Sequence, residues 1–407
     1  MKQPSLVLIP FAEYSIGSNV LPIIGPLGSS YRTTTAYEVG KDKILNLRGV
    51  NKQLRHWEGD KVSYKSEREN TNYYIWSSDF SNGAHSKNNV VFTSEEGIAP
   101  NGKLESWSMK PTTEAAVAKY SQQLVTSGSL DESTFSIYAK NDGSEPLNIL
   151  LTRGTSPYTI WGDADFNLTS GTVVENSNGI ARIEDAGNGW YRVSVSGTPV
   201  DTGAQIIRVG TGSTATYLGD GVQLWGGQFE TNRIPTSLIT TDATPTFKND
   251  DQLLIYESSS NIFTEHEGAF YFDLRFDDLG DALSMFTFND TTTNNRVQVR
   301  SQANGSSIMI LVSKDSDLFT YVHNVDAYSK NVKVMVMVDG YSSRISVNGT
   351  IVAVDTSTTL AFSDVTRLVN ANTDYTDNST RFSGIYTDIR AYPMKITDEE
   401  ANYLTSV

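Results

Sequence analysis

The residues best suited to chemistry lie in one short run, Ser156 to Asp165, reading SPYTIWGDAD. Aromatic faces stack against C–H-rich surfaces, and a neighbouring carboxylate accepts hydrogen bonds from hydroxyls, a pairing that suits a sugar ring. Tyr158, Trp161 and Asp163 are the resulting candidate carbohydrate contacts, with Trp107 as a further aromatic candidate. Pro157, Gly162 and the two aspartates around Trp161 predict a loop that leaves its ring exposed. Trp190 and Trp225 lie in alternating runs and are expected in a sandwich core instead.

Catalytic patterns are scarce. The four histidines, His56, His85, His266 and His323, stand alone, without metal-ligand spacing. No GxSxG elbow and no P-loop occurs. The carboxylate pairs Glu95-Glu96 and Glu265/Glu267 have nothing in the sequence that sets them on opposite sides of a substrate. The reading is that this is not an enzyme, and a polysaccharide-degrading hydrolase ranks last among the alternatives.

Composition narrows the partners. There are 32 basic and 47 acidic residues, a net charge of −15. No Lys/Arg cluster offsets it, so nucleic acid and anionic membrane are not expected partners. Cysteine is absent, which excludes thiolate metal sites and a Cys nucleophile. No stretch reaches the ~18 apolar residues of a membrane span. The opening MKQPSLVLIPFAEYS has too weak a basic region, and Pro4 comes too early, for a secretion signal.

The elements that must position these residues read as strands. In Thr134–Lys140, TFSIYAK, the residues Phe135, Ile137 and Ala139 alternate with polar positions, as in a half-buried strand. Gly179–Glu184 and Trp190–Ser196 flank Asp185-Ala186-Gly187-Asn188-Gly189, a hairpin signal, and Tyr191, Val193 and Val195 share one face. Short strands recur at intervals of roughly ten residues up to about Thr241, the signature of a sandwich. Glu114 to Tyr120 is expected to form a short helical turn. The polar, Pro-containing stretch 240–251 reads as a linker. Beyond it, Asn348-Gly349 marks a second hairpin, and Val334 to Val338 is wholly apolar, as a central strand covered on both faces should be. Thr397 and Glu400 form a capping box for a short C-terminal helix, with Ile396 as its staple. Residues 1–72 lack clean periodicity and carry dense charge from Arg55 to Asn72, so they are expected to be extended and docked on another protein.

Several stretches together resemble bacteriophage tail or fibre proteins built from concanavalin/laminin-G-like, carbohydrate-binding-like jelly rolls. PSLVLIP (Pro4–Pro10) and YRTTTAYEVGKDKIL (Tyr31–Leu45) are similar to the opening of such chains. Glu69–Asn82 and Ile98–Ser106 resemble their entry into a jelly roll. TFSIYAK, EDAGNGWYRVSVS and VQLWGGQFETNRIPTSLI resemble its body and exit, and VNGT with IYTDIRAYPMKITDEEANYL is similar to laminin-G-like modules. The charged NKQLRHWEGDKVSYKSEREN departs from the apolar segment usual there.

The resemblance implies an all-β fold of two antiparallel jelly-roll β-sandwiches, at 73–241 and 252–407, behind the N-terminal docking segment 1–72. It implies a virion component, attached to tail or capsid and made in the host cytoplasm without a signal peptide. Its role would be host attachment through cell-surface polysaccharide, as a receptor-binding homo-oligomer, a trimer in most such fibres. A purely structural decoration or adaptor protein is the alternative. Calcium is the one cofactor implied, since laminin-G-like loops sometimes hold it through six to eight oxygens. Asp277, Asp278 and Asp281 are its candidate ligands, with Asp374, Asp377 and Asn378 as a second set.

Overall fold

The computed structural model describes residues 6–8, 29–50, 52, 54–58, 60–94, 96–114, 117–143, 146–156, 158–211, 221–257, 267–276, 285–302, 306–314, 317–325, 331–339, 342–356, 367–369, 383–392 and 394–406. The chain divides into two compact units: unit 1 is Met1–Thr34, Gly49–Arg68 and Asp250–Val407, and unit 2 is Thr35–Arg48 and Glu69–Asn249. Both are built of antiparallel sheets, so the all-β sandwich architecture expected from the alternation is what forms.

Unit 2 pairs two six-stranded sheets. The front sheet runs, edge to edge, Thr172–Asn178, Ile160–Asn167, Leu147–Arg153, Gln205–Thr211, Lys119–Val125 and Ser86–Asn88. The back sheet runs Ile180–Gly187, Trp190–Gly197, Ser133–Asp142, Gly221–Glu230, Trp107–Pro111 and Val90–Ser94. Alternation sends Phe135, Ile137, Ala139, Val193 and Val195 from the back sheet into one core with Ile149, Leu151, Ile207 and Val209 from the front. Each large apolar side chain buried this way contributes about 1.5–3 kcal/mol. The hairpin after Gly187 turns through three consecutive left-handed residues, Gly187 (φ 80°), Asn188 (φ 54°) and Gly189 (φ 78°). Glycine and asparagine adopt that region at the least cost.

Trp190 and Trp225 are buried, but not between the sheets. They belong to a separate cluster with Leu45, Ala99, Tyr138 and Leu238. The reason is the alternation itself: Tyr191, Val193 and Val195 face the sandwich, so Trp190 faces away. Each indole N–H still finds an acceptor, Ile98 O at 2.9 Å for Trp190 and Glu105 Oε1 at 3.1 Å for Trp225. The hairpin Ala36–Val39/Leu45–Arg48 closes this layer, Leu45 joining the cluster and Tyr37 meeting Trp225 edge-on at 6.3 Å.

Residues 1–72 therefore do not stand apart, since their described strands are shared between the units. Leu6–Leu8, Leu54–Glu58 and Lys61–Ser66 join an eight-stranded sheet of unit 1. Nor is 240–251 a free tether. In unit 2, Thr241 donates to Tyr74 O at 2.6 Å and Thr246–Lys248 pairs with Asn70–Asn72. In unit 1, Asp251 is buried against Arg32 and accepts the Glu67 amide at 3.0 Å. The polar residues here are partnered inside the fold rather than solvated. The expected helical turn at Glu114–Tyr120 also gives way. Lys119 and Tyr120 open a strand, and Tyr120 is paired on both sides.

Unit 1 packs its eight-stranded sheet on a seven-stranded one. Phe270, Phe272, Phe286, Phe288, Val334 and Val336 are buried between them. On the same strand, Met335 and Met337 face the opposite way, into a cluster with Tyr271, Tyr392, Ile396 and Ala401. That is why Val334 to Val338 can be apolar throughout. The helix Asp398–Thr405 covers this face, with the Thr397/Glu400 capping box formed. Asn348 (φ 47°) and Gly349 (φ 85°) make the tight turn that their sequence demands.

Candidate functional site

The outer face of the front sheet in unit 2 carries a recess of about 330 Å³. Register sets its lining in two cross-strand rows. One runs Tyr120, Gly210, Asn148, Asp165, Glu175, and the next Gln122, Arg208, Leu150, Asp163, Asn178. These positions alternate with the core residues Ile149, Leu151, Ile207 and Val209, so they face outward for the same reason that those face in. Gly210 leaves no side chain between Tyr120 and Asn148, which opens the first row at its centre.

At one end the Arg208 guanidinium lies over the Tyr120 ring, its Cζ 3.8 Å from the centroid. Its Nη2 donates to Gln122 Oε1 at 3.1 Å, which fixes rotation about the stack. The Arg208 Nε is buried with no partner. Left so, a buried donor costs about 1–3 kcal/mol. Lys119 borders the recess through its place beside Tyr120, but alternation turns its side chain inward, where Nζ is buried without a partner.

At the other end one amide holds two acids. Asn148 Nδ2 donates to Asp163 Oδ1 at 3.1 Å and to Asp165 Oδ1 at 2.8 Å. Burial pushes the Asp165 carboxyl above its ordinary value, and the negative charges of Asp163 and Glu175 push the same way, against the Asn148 bond. Between the two ends lies Leu150, half-buried, with Ile160 at 43% exposure beside the recess. An apolar floor flanked by a guanidinium fork, an amide and carboxylates can receive the C–H face of a ring and hydrogen-bond the polar groups at its edges.

The expected site residues meet different fates. Asp163 lines the recess. Tyr158 is exposed, at 65%, on the connection that leads into Ile160. Trp161, expected exposed, is instead 6% exposed and part of the sandwich core. Its indole N–H donates to Gln205 Oε1 at 2.9 Å and its ring lies 6.2 Å from Phe229. A β-bulge is responsible: Leu151 pairs with Gly162, but Thr152 pairs with Ile160, so Trp161 is the extra residue. In such a bulge two successive residues take the same face. A Cβ on Gly162 would meet Leu151 and Val195 of the core at 2.7 and 2.9 Å, so Trp161 and Gly162 both face inward while Ile160 and Asp163 face outward. Trp107 is on the back sheet, half-buried, its indole N–H given to Ser78 O at 2.9 Å. It is not part of the recess.

Asp277, Asp278, Asp281, Asp374, Asp377 and Asn378 lie outside the described residues. Among the described residues, no group of three or more His, Cys, Asp or Glu side chains is placed to hold a metal ion. Of the histidines, His85 is buried between Tyr74 and Phe80, at ring-centroid distances of 5.3 and 5.1 Å. Its pKa is lowered to about 4, chiefly by burial.

Tyr120, Asn148, Leu150 and Arg208 escape a sequence search for aromatic-acid runs, while Asp165 closes the run that such a search finds. The signal that could have found them is the outward set of alternating strands, as in LNILLTR, where Asn148 and Leu150 oppose Leu147, Ile149 and Leu151.

No protein-family model and no curated protein matches the chain. Among solved structures it is similar to the CBM40 of Ruminococcus gnavus IT-sialidase bound to α2,3-sialyllactose, at 13% identity, over 38% of this chain and 96% of that one, with a TM-score of 0.31. It is similar to leech intramolecular trans-sialidase at 15% identity, over 37% and 27%, with a TM-score of 0.30. With domains LG4-5 of the mouse laminin α1 chain it shares 9% identity over 69% and 88%, with a TM-score of 0.25. These likenesses concern β-sandwich architecture alone, and the recess stands on its own residues.

Proposed function

We propose that this protein is a glycan-binding adhesin whose first β-sandwich receives a saccharide along the outer face of its front sheet. The observation that carries the reading is the Leu150 floor, flanked on one row by Arg208 and Asp163. Asp163 and Asp165 lie on the same strand and share the Asn148 amide, rather than flanking a substrate from two sides. That favours holding a sugar over cleaving it.

The resemblance of the N-terminal stretches and of the Asn188-Gly189-Trp190-Tyr191-Arg192 hairpin to phage proteins supports placing this adhesin in a virion, as a tail or fibre component attached to the host surface. A shallow site of this kind binds weakly alone. A homotrimeric fibre would present several copies and raise the effective concentration of the second and third contacts.

The test is a glycan array probed with the purified chain and with Leu150→Glu, which replaces the apolar floor by a charge on an outward position. Retention of a saccharide by the parent, reduced at least about tenfold in the variant, supports the proposal. Undiminished retention by the variant refutes the site. A parent that binds no glycan but associates tightly with another virion protein refutes the adhesive role in favour of a structural one. Release of new reducing ends from host polysaccharide would refute the binding-only reading.

A further inference from the structure

We infer that the saccharide read by this recess is acidic, and that its carboxylate docks on Arg208. The inference rests on the glycan-binding reading and deepens it.

Arg208 is a prepared fork. The Tyr120 ring supports its plane at 3.8 Å and Gln122 holds Nη2 at 3.1 Å. Its Nε is buried and unpartnered, and among the described residues no carboxylate forms an ion pair with it. The obvious internal partner is Asp163, on the same row, but Leu150 and its strand lie between them. Two strand spacings separate their backbones by about 10 Å. Asp163 and Asp165 are instead turned to Asn148. The two ends of the recess therefore carry opposite charges that do not neutralise one another.

Chemistry then favours a charged acceptor at the Arg208 end. A neutral hydroxyl satisfies one N–H of a guanidinium, whereas a planar carboxylate accepts two in parallel, with charge assistance. With the acid group on Arg208 and the ring over Leu150, hydroxyls on the far edge reach Asp163, which accepts from them. The net charge of −15 opposes an acidic ligand at long range. That field is screened beyond about 8 Å at physiological salt, so the local pair decides.

The experiment uses the full chain on an array of hexuronate-containing oligosaccharides, each printed beside its carboxyl-reduced form, with sulfated and phosphorylated analogues alongside. The carboxylate member of a bound pair is expected to be held about tenfold more tightly than its reduced form. Arg208→Gln should bring the two within about twofold, and Arg208→Lys should restore part of the preference by charge without the fork. Asp163→Asn should weaken both members alike. Near-ultraviolet circular dichroism establishes that each variant is folded, and the parent pair comparison stands even if one is not. Equal retention of both members by the parent overturns the acidic assignment while leaving glycan binding intact. Preference for the sulfated or phosphorylated analogue overturns the carboxylate. A preference that survives Arg208→Gln overturns the role of Arg208, and a parent that retains no saccharide of this array while binding others on the general glycan array overturns the acidic assignment alone.

Discussion

Trp161 decides between two accounts of the SPYTIWGDAD run, and Trp161→Phe separates them. If the bulge buries Trp161, the variant loses the indole N–H that Gln205 Oε1 accepts at 2.9 Å. Gln205 is itself 1% exposed, and its Nε2 is committed to Asp201 O and Gly203 O, so the amide cannot turn away without breaking other bonds. An orphaned buried acceptor costs about 1–3 kcal/mol. The smaller ring also gives up on the order of 40 Å² of buried apolar area, about 1 kcal/mol more. The sum, about 2–4 kcal/mol, is a large part of the ~5–15 kcal/mol typical of a folded domain, yet leaves unit 2 folded. Urea unfolding followed by far-ultraviolet circular dichroism reads the loss. Hydrogen exchange on peptides covering 147–167 and 205–211 places it in the front sheet. Saccharide affinity should stay within about twofold of the parent, because Ile160 and Asp163 still face outward. A variant as stable as the parent to within about 0.5 kcal/mol, or one that keeps its stability and loses binding, would refute the inward assignment.

Two further predictions concern unit 2. His85 takes up its proton near pH 6.5 when unfolded but only near 4 when buried, so the folded state loses stability as pH falls through that window, about 2 kcal/mol by pH 5 and nothing at pH 7.5. His85→Gln should remove that part of the slope, and urea midpoints of both proteins at the two pH values that fall in parallel would sink the idea. Glu230, fully buried, accepts from Gln228 Nε2 at 2.9 Å, Thr236 N at 2.7 Å and Thr236 Oγ1 at 2.8 Å. Burial raises its pKa, so its contribution runs the other way, favouring the fold as pH falls. Glu230→Ala takes the acceptor from the Thr236 amide and leaves Gln228 Nε2 and Thr236 Oγ1 only their longer bonds to Thr236 O and Ser237 O, so it should cost about 1–3 kcal/mol, with faster amide exchange at 231–239; unchanged exchange there would contradict it.

What the sequence made legible is what depends on neighbours along the chain. Alternation placed Phe135, Ile137 and Ala139, and likewise Tyr191, Val193 and Val195, on one face each, and all but half-buried Tyr191 are core residues. The turns at Asn188 and Asn348 and the Thr397 cap follow from residue chemistry at fixed short offsets. What stayed hidden depends on pairing at a distance. Nothing in the composition of 1–72 says that Leu45 will cover Trp190 or that Leu54–Glu58 will enter a sheet of unit 1. The recess is the same kind of object, since Tyr120, Asn148, Asp163 and Arg208 meet only through the strand order of the front sheet. A single bulge, invisible in residue types, turned the most conspicuous aromatic inward.

That bulge also changes where binding should be sought. Loops around exposed tryptophans adapt to a ligand and lose entropy on closing over it. Here the polar groups stand on Ile160–Asn167, Leu147–Arg153 and Gln205–Thr211, three inner strands of the front sheet, each paired on both sides. Their backbones are fixed by ladders and their inner faces by the core, and Arg208 and Asn148 are further held by Gln122 and by the two aspartates. A site so supported is organised before the ligand arrives, so specificity lies in fixed spacing between the guanidinium and the carboxylates rather than in induced fit. A saccharide whose acid group and hydroxyls do not span that spacing across Leu150 must forgo its bonds at one end of the recess, and is discriminated against by the loss of that half-buried charged contact.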